Sequence, residues 1–81
     1  MRVVYFAWLR ERIGAGSEEI ATEAATVADL VAELAARDER HAAAFADLRA
    51  VRVALDEEMA DLSAPLAGVR EVAFFPPMTG G

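Results

Sequence analysis

Glu71-Val72-Ala73-Phe74-Phe75-Pro76-Pro77-Met78-Thr79-Gly80-Gly81 is the stretch on which the reading of this chain turns. Its first five residues predict a strand, Glu71–Phe75. Successive side chains of a strand point to opposite faces, so Val72 and Phe74 fit a core while Glu71, Ala73 and Phe75 share the other face. Pro76 and Pro77 have no amide hydrogen to give a sheet and hold φ near one value, so they end the strand and stiffen the base of the tail. Gly80 and Gly81 carry no side chain and turn freely in φ and ψ. Such a tip can thread a slot too narrow for any other residue and present the Gly81 carboxylate to an enzyme. The expected division is a folded domain over residues 1–75 and an extended tail over residues 76–81, which reaches roughly 20 Å when straight.

Working outward from that strand, the opposite end of the chain supplies its natural partner. Arg2 to Leu9 is predicted to be a strand, with Arg2, Val4, Phe6 and Trp8 on one face and Val3, Tyr5, Ala7 and Leu9 on the other. Both faces are apolar beyond Arg2, which favours a central place in a sheet. If the first and last strands pair, Phe75 joins Val4, Phe6 and Trp8 in a contiguous apolar patch suited to docking, with Arg10 as a polar contact at its rim. Ile13-Gly14-Ala15-Gly16-Ser17 reads as a turn, and Glu18 to Thr22 as a short antiparallel edge strand.

Thr26 suits a helix N-cap, with Asp29 three residues on. Val27, Leu30, Val31 and Leu34 then follow the i, i+3, i+4, i+7 spacing of an amphipathic helix. A second short helical piece is expected over Glu39 to Asp47, with Ala43 and Phe45 as inward contacts. Ala50 to Leu55 alternates again, placing Val51, Val53 and Leu55 inward and Ala50, Arg52 and Ala54 outward. Asp56-Glu57-Glu58 and Pro65-Leu66-Ala67-Gly68 are turns, and Met59 to Leu62 is a brief strand or bend between them. An opening hairpin, a crossing helix and returning strands predict an α+β fold of the β-grasp, ubiquitin-like kind: a mixed sheet of about four or five strands with a helix packed on one face.

Bulk composition narrows the chemistry. At 81 residues the chain is one domain, and its apolar fraction of 56% is enough for one core. No apolar run is long enough to span a bilayer. Val3–Leu9 is followed by Arg10-Glu11-Arg12 rather than a cleavage site, so it reads as a strand and not as a signal peptide. With no cysteine, disulfides and thiolate chemistry are excluded, and a cytoplasmic location is the simplest expectation. The net charge of −6 argues against nucleic acid, whose phosphates demand clustered cations, and fits a partner with a basic surface. All 8 basic residues are arginine, so no lysine is present to accept a self-conjugated tail. His41, the single histidine, lies among alanines without evident triad partners and reads as an ordinary surface or boundary residue. Asp56, Glu57, Glu58 and Asp61 lack calcium-loop spacing and read as a solvated acidic turn. No metal ligand set is expected.

Taken together, the closing eleven residues, the Phe6-Ala7-Trp8-Leu9-Arg10-Glu11-Arg12-Ile13-Gly14 segment, Thr26-Val27 at the helix start and Pro65-Leu66 before the last strand resemble the small-subunit family of molybdopterin synthase, the MoaD family. The likeness runs the whole length, but its specificity is concentrated in Pro-Pro-x-Thr-Gly-Gly after a strand ending in aromatics. Two places depart from the family: Gly68-Val69-Arg70-Glu71 stands where Asp-Gly-Asp-Glu is common, and Asp56 where an Asn is common.

The resemblance implies a sulfur carrier. An ATP-dependent activating enzyme of the ubiquitin-E1 type would adenylate the Gly81 carboxylate, and sulfur, supplied indirectly by a sulfurtransferase, would convert it to a thiocarboxylate. The tail, Pro76, Pro77, Met78, Thr79 and Gly80, would carry it into the synthase large subunit. There the sulfur would build the dithiolene of molybdopterin from a cyclic pyranopterin. Val4, Phe6, Trp8, Arg10 and Phe75 would dock the body, in an assembly of two small subunits flanking a large-subunit dimer. ATP belongs to the activating enzyme, and the chain itself would hold no permanent cofactor, contributing a carried group and no general acid or base. Three other readings remain open: a ubiquitin-like protein modifier, a sulfur carrier for thiamin, cysteine or another pathway, and an interaction domain with an inert tail. Membrane and nucleic acid are not expected partners.

Overall fold

The computed structural model describes residues 1–77; the expectations for Met78, Thr79, Gly80 and Gly81 fall outside the described residues. The elements run β1 (Arg2–Tyr5), α1 (Trp8–Ile13), β2 (Ser17–Glu19), α2 (Val27–Ala35), α3 (Glu39–Ala44), a 3-10 turn (Leu48–Ala50), β3 (Arg52–Leu55), β4 (Glu58–Ala60) and β5 (Glu71–Phe75). The five strands form one mixed sheet in the order β2-β1-β5-β3-β4. β5 stands in its middle, parallel to β1 and antiparallel to β3. The α+β β-grasp expectation therefore holds, as do the boundaries of β5; the antiparallel edge strand is present too, but it runs Ser17–Glu19 rather than Glu18 to Thr22.

Register explains which side is core. Val3 pairs with Val72 and Tyr5 with Phe74, and Val53 lies opposite Phe74 from the other side. These side chains share one face with Val27, Leu30, Val31 and Leu34 of α2, Leu9 and Ile13 of α1, and Ala44 and Phe45 at the end of α3, all in one buried cluster. Tyr5 stacks on Phe74 with ring centroids 6.2 Å apart, and Phe45 meets Phe74 edge-on at 4.9 Å. Such geometries suit the ring quadrupole.

The start of α2 satisfies its unpaired amides from two sources. Thr26 Oγ1 accepts from the Asp29 amide at 3.3 Å. The Val27 and Ala28 amides donate to the carbonyls of Ala64 and Leu62 at 3.1 and 2.8 Å. The loop before β5 thus caps the helix, meeting donors that a helix cannot meet internally.

Three further sequence expectations are corrected. The strand predicted over Arg2–Leu9 stops at Tyr5. Ala7 adopts φ 55° and ψ −133° and the chain turns into α1, whose buried Leu9 and Ile13 are four residues apart. Gly14 ends α1 in the left-handed region at φ +89°, its amide donating to the Arg10 carbonyl, a conformation that favours glycine. The second helix ends at Ala44 rather than Asp47, and it is Ala44 that is buried while Ala43 is exposed. Asp47 instead caps the 3-10 turn through the Arg49 amide. Ala54 points to the outer face as expected, though it is only 9% exposed, standing between its register partners Ala73 and Met59. Finally, His41 is buried.

The hairpin joining β3 to β4 turns at Asp56 and Glu57, both with positive φ, 47° and 71°. Left-handed residues at both central positions match the twist of a tight hairpin. Asp56 does more than turn the chain. Its Oδ1 accepts from the amides of Arg70 and Glu71 at 3.1 and 2.9 Å, fastening the start of β5. Asp61, the other acid noted nearby, accepts from the Ser63 amide and hydroxyl.

Candidate docking face and tail

The helices pack on one side of the sheet and leave the other uncovered among the described residues. Because Val4 pairs with Ala73, Ala73 with Ala54, and Ala54 with Met59, these four form a row across the bare face. Above that row Phe75 stands in register with Arg52. The Phe6 amide donates to the Phe74 carbonyl at 3.0 Å, extending β1 past its last paired residue and bringing Phe6 beside the end of β5. Phe6 is 50% exposed and Met59 66% exposed. Val4, Phe75, Pro76 and Pro77 are partly exposed. Below the row, Arg2 pairs with Glu71 at 3.2 Å and faces Glu19 on the other side. The face is therefore apolar at its centre, charged at its lower edge, and continuous with the point where the chain leaves the sheet.

Ala7 sets this geometry. Its ψ places the peptide so that the Leu9 amide donates back to the Phe6 carbonyl at 3.2 Å and Glu11 to Ala7 at 3.3 Å. The turn leaves Phe6 facing solvent at the sheet end and swings Trp8 away. Trp8 does not lie on the strand face with Val4 and Phe6, as alternation predicted. It sits at the start of α1, partly buried against the core, with the Arg12 guanidinium carbon 5.5 Å from its ring centroid. That is a cation–π distance. Arg10 is exposed, but its side chain lies over the α1–β2 turn, where a Cβ on Gly16 would stand 3.3 Å from Nε. Sequence reasoning brought Val4, Phe6 and Phe75 together. It missed Met59 and Arg52, which become visible only once the β3 register is known.

A second polar cluster was also missed. Tyr5 donates its hydroxyl to Glu18 Oε2 at 2.7 Å, and His41 Nε2 lies 2.8 Å from that same oxygen. His41 Nδ1 lies 2.8 Å from Asp38 Oδ1, which also accepts the His41 amide at 2.9 Å as the N-cap of α3. Burial pushes the Tyr5 hydroxyl far above its ordinary value, and Glu18 adds to that. The Asp-x-x-His spacing at a helix start was the one trace of this cluster in the sequence. Among the described residues no group of three or more acidic or histidine side chains is placed to hold a metal ion. No helix there is long and apolar enough to cross a membrane.

A β-grasp body with a bare apolar sheet face, whose central strand leads into Pro76 and Pro77, belongs to the ubiquitin-like class. Comparison with known proteins places it more closely: the chain belongs to the ThiS family, whose pattern it matches over residues 3–81. It is 37% identical over 81 residues to the molybdopterin synthase sulfur carrier subunit of Escherichia coli (strain K12), covering 100% of this chain and 99% of that one. Among solved structures it is similar to SAMP1 from Haloferax volcanii, with a TM-score of 0.73 and 26% identity over 100% of this chain and 98% of the other. It is likewise similar to a putative molybdopterin converting factor, subunit 1, from Pyrococcus furiosus, with a TM-score of 0.70 and 28% identity over 95% of each chain. The chain is thus a homologue of the sulfur carrier subunit of molybdopterin synthase.

Proposed function

We propose that this protein carries sulfur on the carboxyl group of Gly81 and delivers it, as the small subunit of molybdopterin synthase, to a cyclic pyranopterin that becomes the molybdopterin dithiolene. The observation that carries this reading is the 37% identity to the E. coli sulfur carrier subunit over the full 81 residues, a span that includes the Phe-Phe-Pro-Pro-Met-Thr-Gly-Gly end.

The leaving group dictates the chemistry. A carboxylate resists substitution because the departing group would be oxide. An E1-like enzyme would join a carboxylate oxygen to the α-phosphorus of ATP and release pyrophosphate. The adenylate then offers AMP as the group expelled when a sulfide-level nucleophile forms the new carbon–sulfur bond, leaving a thiocarboxylate. In the large subunit the soft sulfur would bond to a side-chain carbon of the pterin as a carbon–oxygen bond there breaks, its oxygen leaving with the phosphate or as water, and hydrolysis of the acyl–sulfur bond would leave the sulfur on the pterin and restore the carboxylate for another cycle. Two deliveries make one dithiolene. Val4, Phe6, Ala73, Met59 and Phe75 would dock the body. Trp8 and Arg10, which follow Phe6 on α1, are further candidates for contact. Pro76 to Thr79 would span the channel, and Gly80 would let the reacting carbon approach closely.

The test is intact-mass analysis after incubation with ATP, the E1-like enzyme and a sulfur source. The expected result is the exchange of one oxygen for sulfur, mapped to Gly81. Deleting Gly81 should abolish dithiolene formation with no change in melting temperature, and normal dithiolene synthesis by the truncated chain would refute the proposal. The full-length similarity to Haloferax SAMP1 favours one second reading, a ubiquitin-like modifier. Isopeptide-linked products in cells, without any sulfur exchange at Gly81, would select it.

A further inference from the structure

His41 is 4% exposed and has an acceptor at each end of its ring: Asp38 Oδ1 at Nδ1 and Glu18 Oε2 at Nε2, each at 2.8 Å. A neutral imidazole has one N–H and one lone pair. In that form one ring nitrogen would set its lone pair against a carboxylate oxygen, so only the imidazolium serves both. Glu18 Oε2 already accepts the Tyr5 hydroxyl, which leaves it the acceptor in both contacts. The two acceptors lie on different elements, Glu18 on β2 and Asp38 at the N-cap of α3, and Tyr5 of β1 shares the Glu18 oxygen, so the ring ties the helix to the sheet edge.

Other charges near it are few. The groove along the imidazole is lined by Glu18, Asp38, Glu39 and Arg40, with Ile13 as the contribution of α1. Arg40 turns its guanidinium toward Gly14 at the end of α1. Arg37, after α2, acts on Glu18 and Tyr5 through its charge. Burial by itself would push the imidazole down, but the hydrogen bonds and charges of Glu18 and Asp38 outweigh it and hold the ring above its ordinary value. Glu18 is likewise pushed up by burial, yet the bonds from His41 and Tyr5 bring it below its ordinary value.

We propose that His41 is a proton-operated latch: as an imidazolium it clamps α3 to β2 and β1, and losing its proton on the alkaline side lets α3 swing off a sheet that stays folded. Linkage sets the sign. A histidine whose folded value is raised stabilises the closed state fully below its ordinary range, and that stabilisation is lost as pH rises through the raised value. The latch also reaches the exit strand. Phe45, just beyond α3, packs edge-on against Phe74, on which Tyr5 stacks. Opening α3 therefore removes one of the two rings holding β5 from the core side. None of this depends on what the tail carries.

Nitrogen-15 spectra of the full chain, together with amide hydrogen exchange from about pH 6 to about pH 9, test it across the range where histidine changes charge. At neutral pH both ring nitrogens should be protonated. Protection of the Ala42–Phe45 amides should fall about tenfold or more as the ring titrates, while Val3–Tyr5 and Val72–Phe74 keep theirs. Glu18→Gln should move the ring titration to lower pH, and His41→Gln should remove the pH dependence of α3 protection. A ring carrying one proton at neutral pH, or α3 protection that ignores the titration, overturns the latch. Both readouts come from the natural sequence, so they decide the matter even if a variant fails to fold.

Discussion

Ala7 is the residue with the largest influence on this site for its size. A non-glycine residue at φ 55° and ψ −133° sits in a region that suits glycine and costs of order 1–3 kcal/mol. That conformation ends β1, starts α1 and leaves Phe6 facing solvent beside Phe75. Ala7→Gly should therefore stabilise the fold, by about 1 kcal/mol, because the relief of strain exceeds the entropy that glycine adds to the unfolded chain. Urea unfolding measures this, and a loss of stability would show that the turn is unstrained. Little of it was legible beforehand. Val3 to Leu9 is apolar throughout, so alternation had no polar residue to mark where the period changed from strand to helix. Leu9 is buried under either reading. Only the Leu9/Ile13 pair, four apart, carried the helical period. His41 was opaque for a different reason: its partner Glu18 is distant in sequence, and a ring bonded on both sides is known only when β2 and α3 have been placed together.

At the scale of elements, α2 and β5 were the most legible, because each is specified locally. Thr26, Asp29 and the Val27, Leu30, Val31, Leu34 stripe fix the helix start and its buried side without reference to the rest of the chain. β5 is bounded by the alternation of Glu71–Phe75 and stopped by Pro76. Thr26→Ala removes the acceptor for the Asp29 amide but leaves the Ala64 and Leu62 carbonyls in place for the Val27 and Ala28 amides before it. The expected loss is about 1 kcal/mol, near the middle of the range for such caps. A denaturant midpoint unchanged from the parent would mean that the loop carbonyls alone cap the helix. α3 was less legible than α2. Its run of alanines has no large apolar residue to phase it, so Ala43 and Ala44 were interchangeable until Phe45 was seen to follow the helix into the core.

For the molecule as a whole, the informative property is asymmetry: among the described residues, three helices on one side of the sheet and none on the other. A face with Val4, Phe6, Phe75 and Met59 at its surface exceeds the scattered apolar residues expected of a monomer, which marks it for docking. If the large subunit binds there, Phe75→Ala should weaken the complex by about 1–3 kcal/mol, the usual effect of truncating an aromatic anchor. Because Phe75 faces away from the core, melting of the free protein should hardly change. Calorimetry that finds the same affinity would move the interface elsewhere. The identity of this face could be read in advance from strand alternation and the β1–β5 pairing. Its width could not, since Met59 and Arg52 join it through the register of β3, a long-range property.

The parallel pairing of Arg2 with Glu71 and Tyr5 with Phe74 has a consequence for how the protein is made. In chain order β1 must wait for β5, which follows every other strand of the sheet. Closing such sequence-distant pairs is slow relative to forming local ones, so the sheet completes after residue 75 has emerged and not progressively. A chain interrupted before β5 lacks the strand that joins β1 to β3, and so cannot assemble the row that runs from Val4 to Met59 across the bare face. A partner that docks on that row would therefore meet only chains in which β5 is already seated.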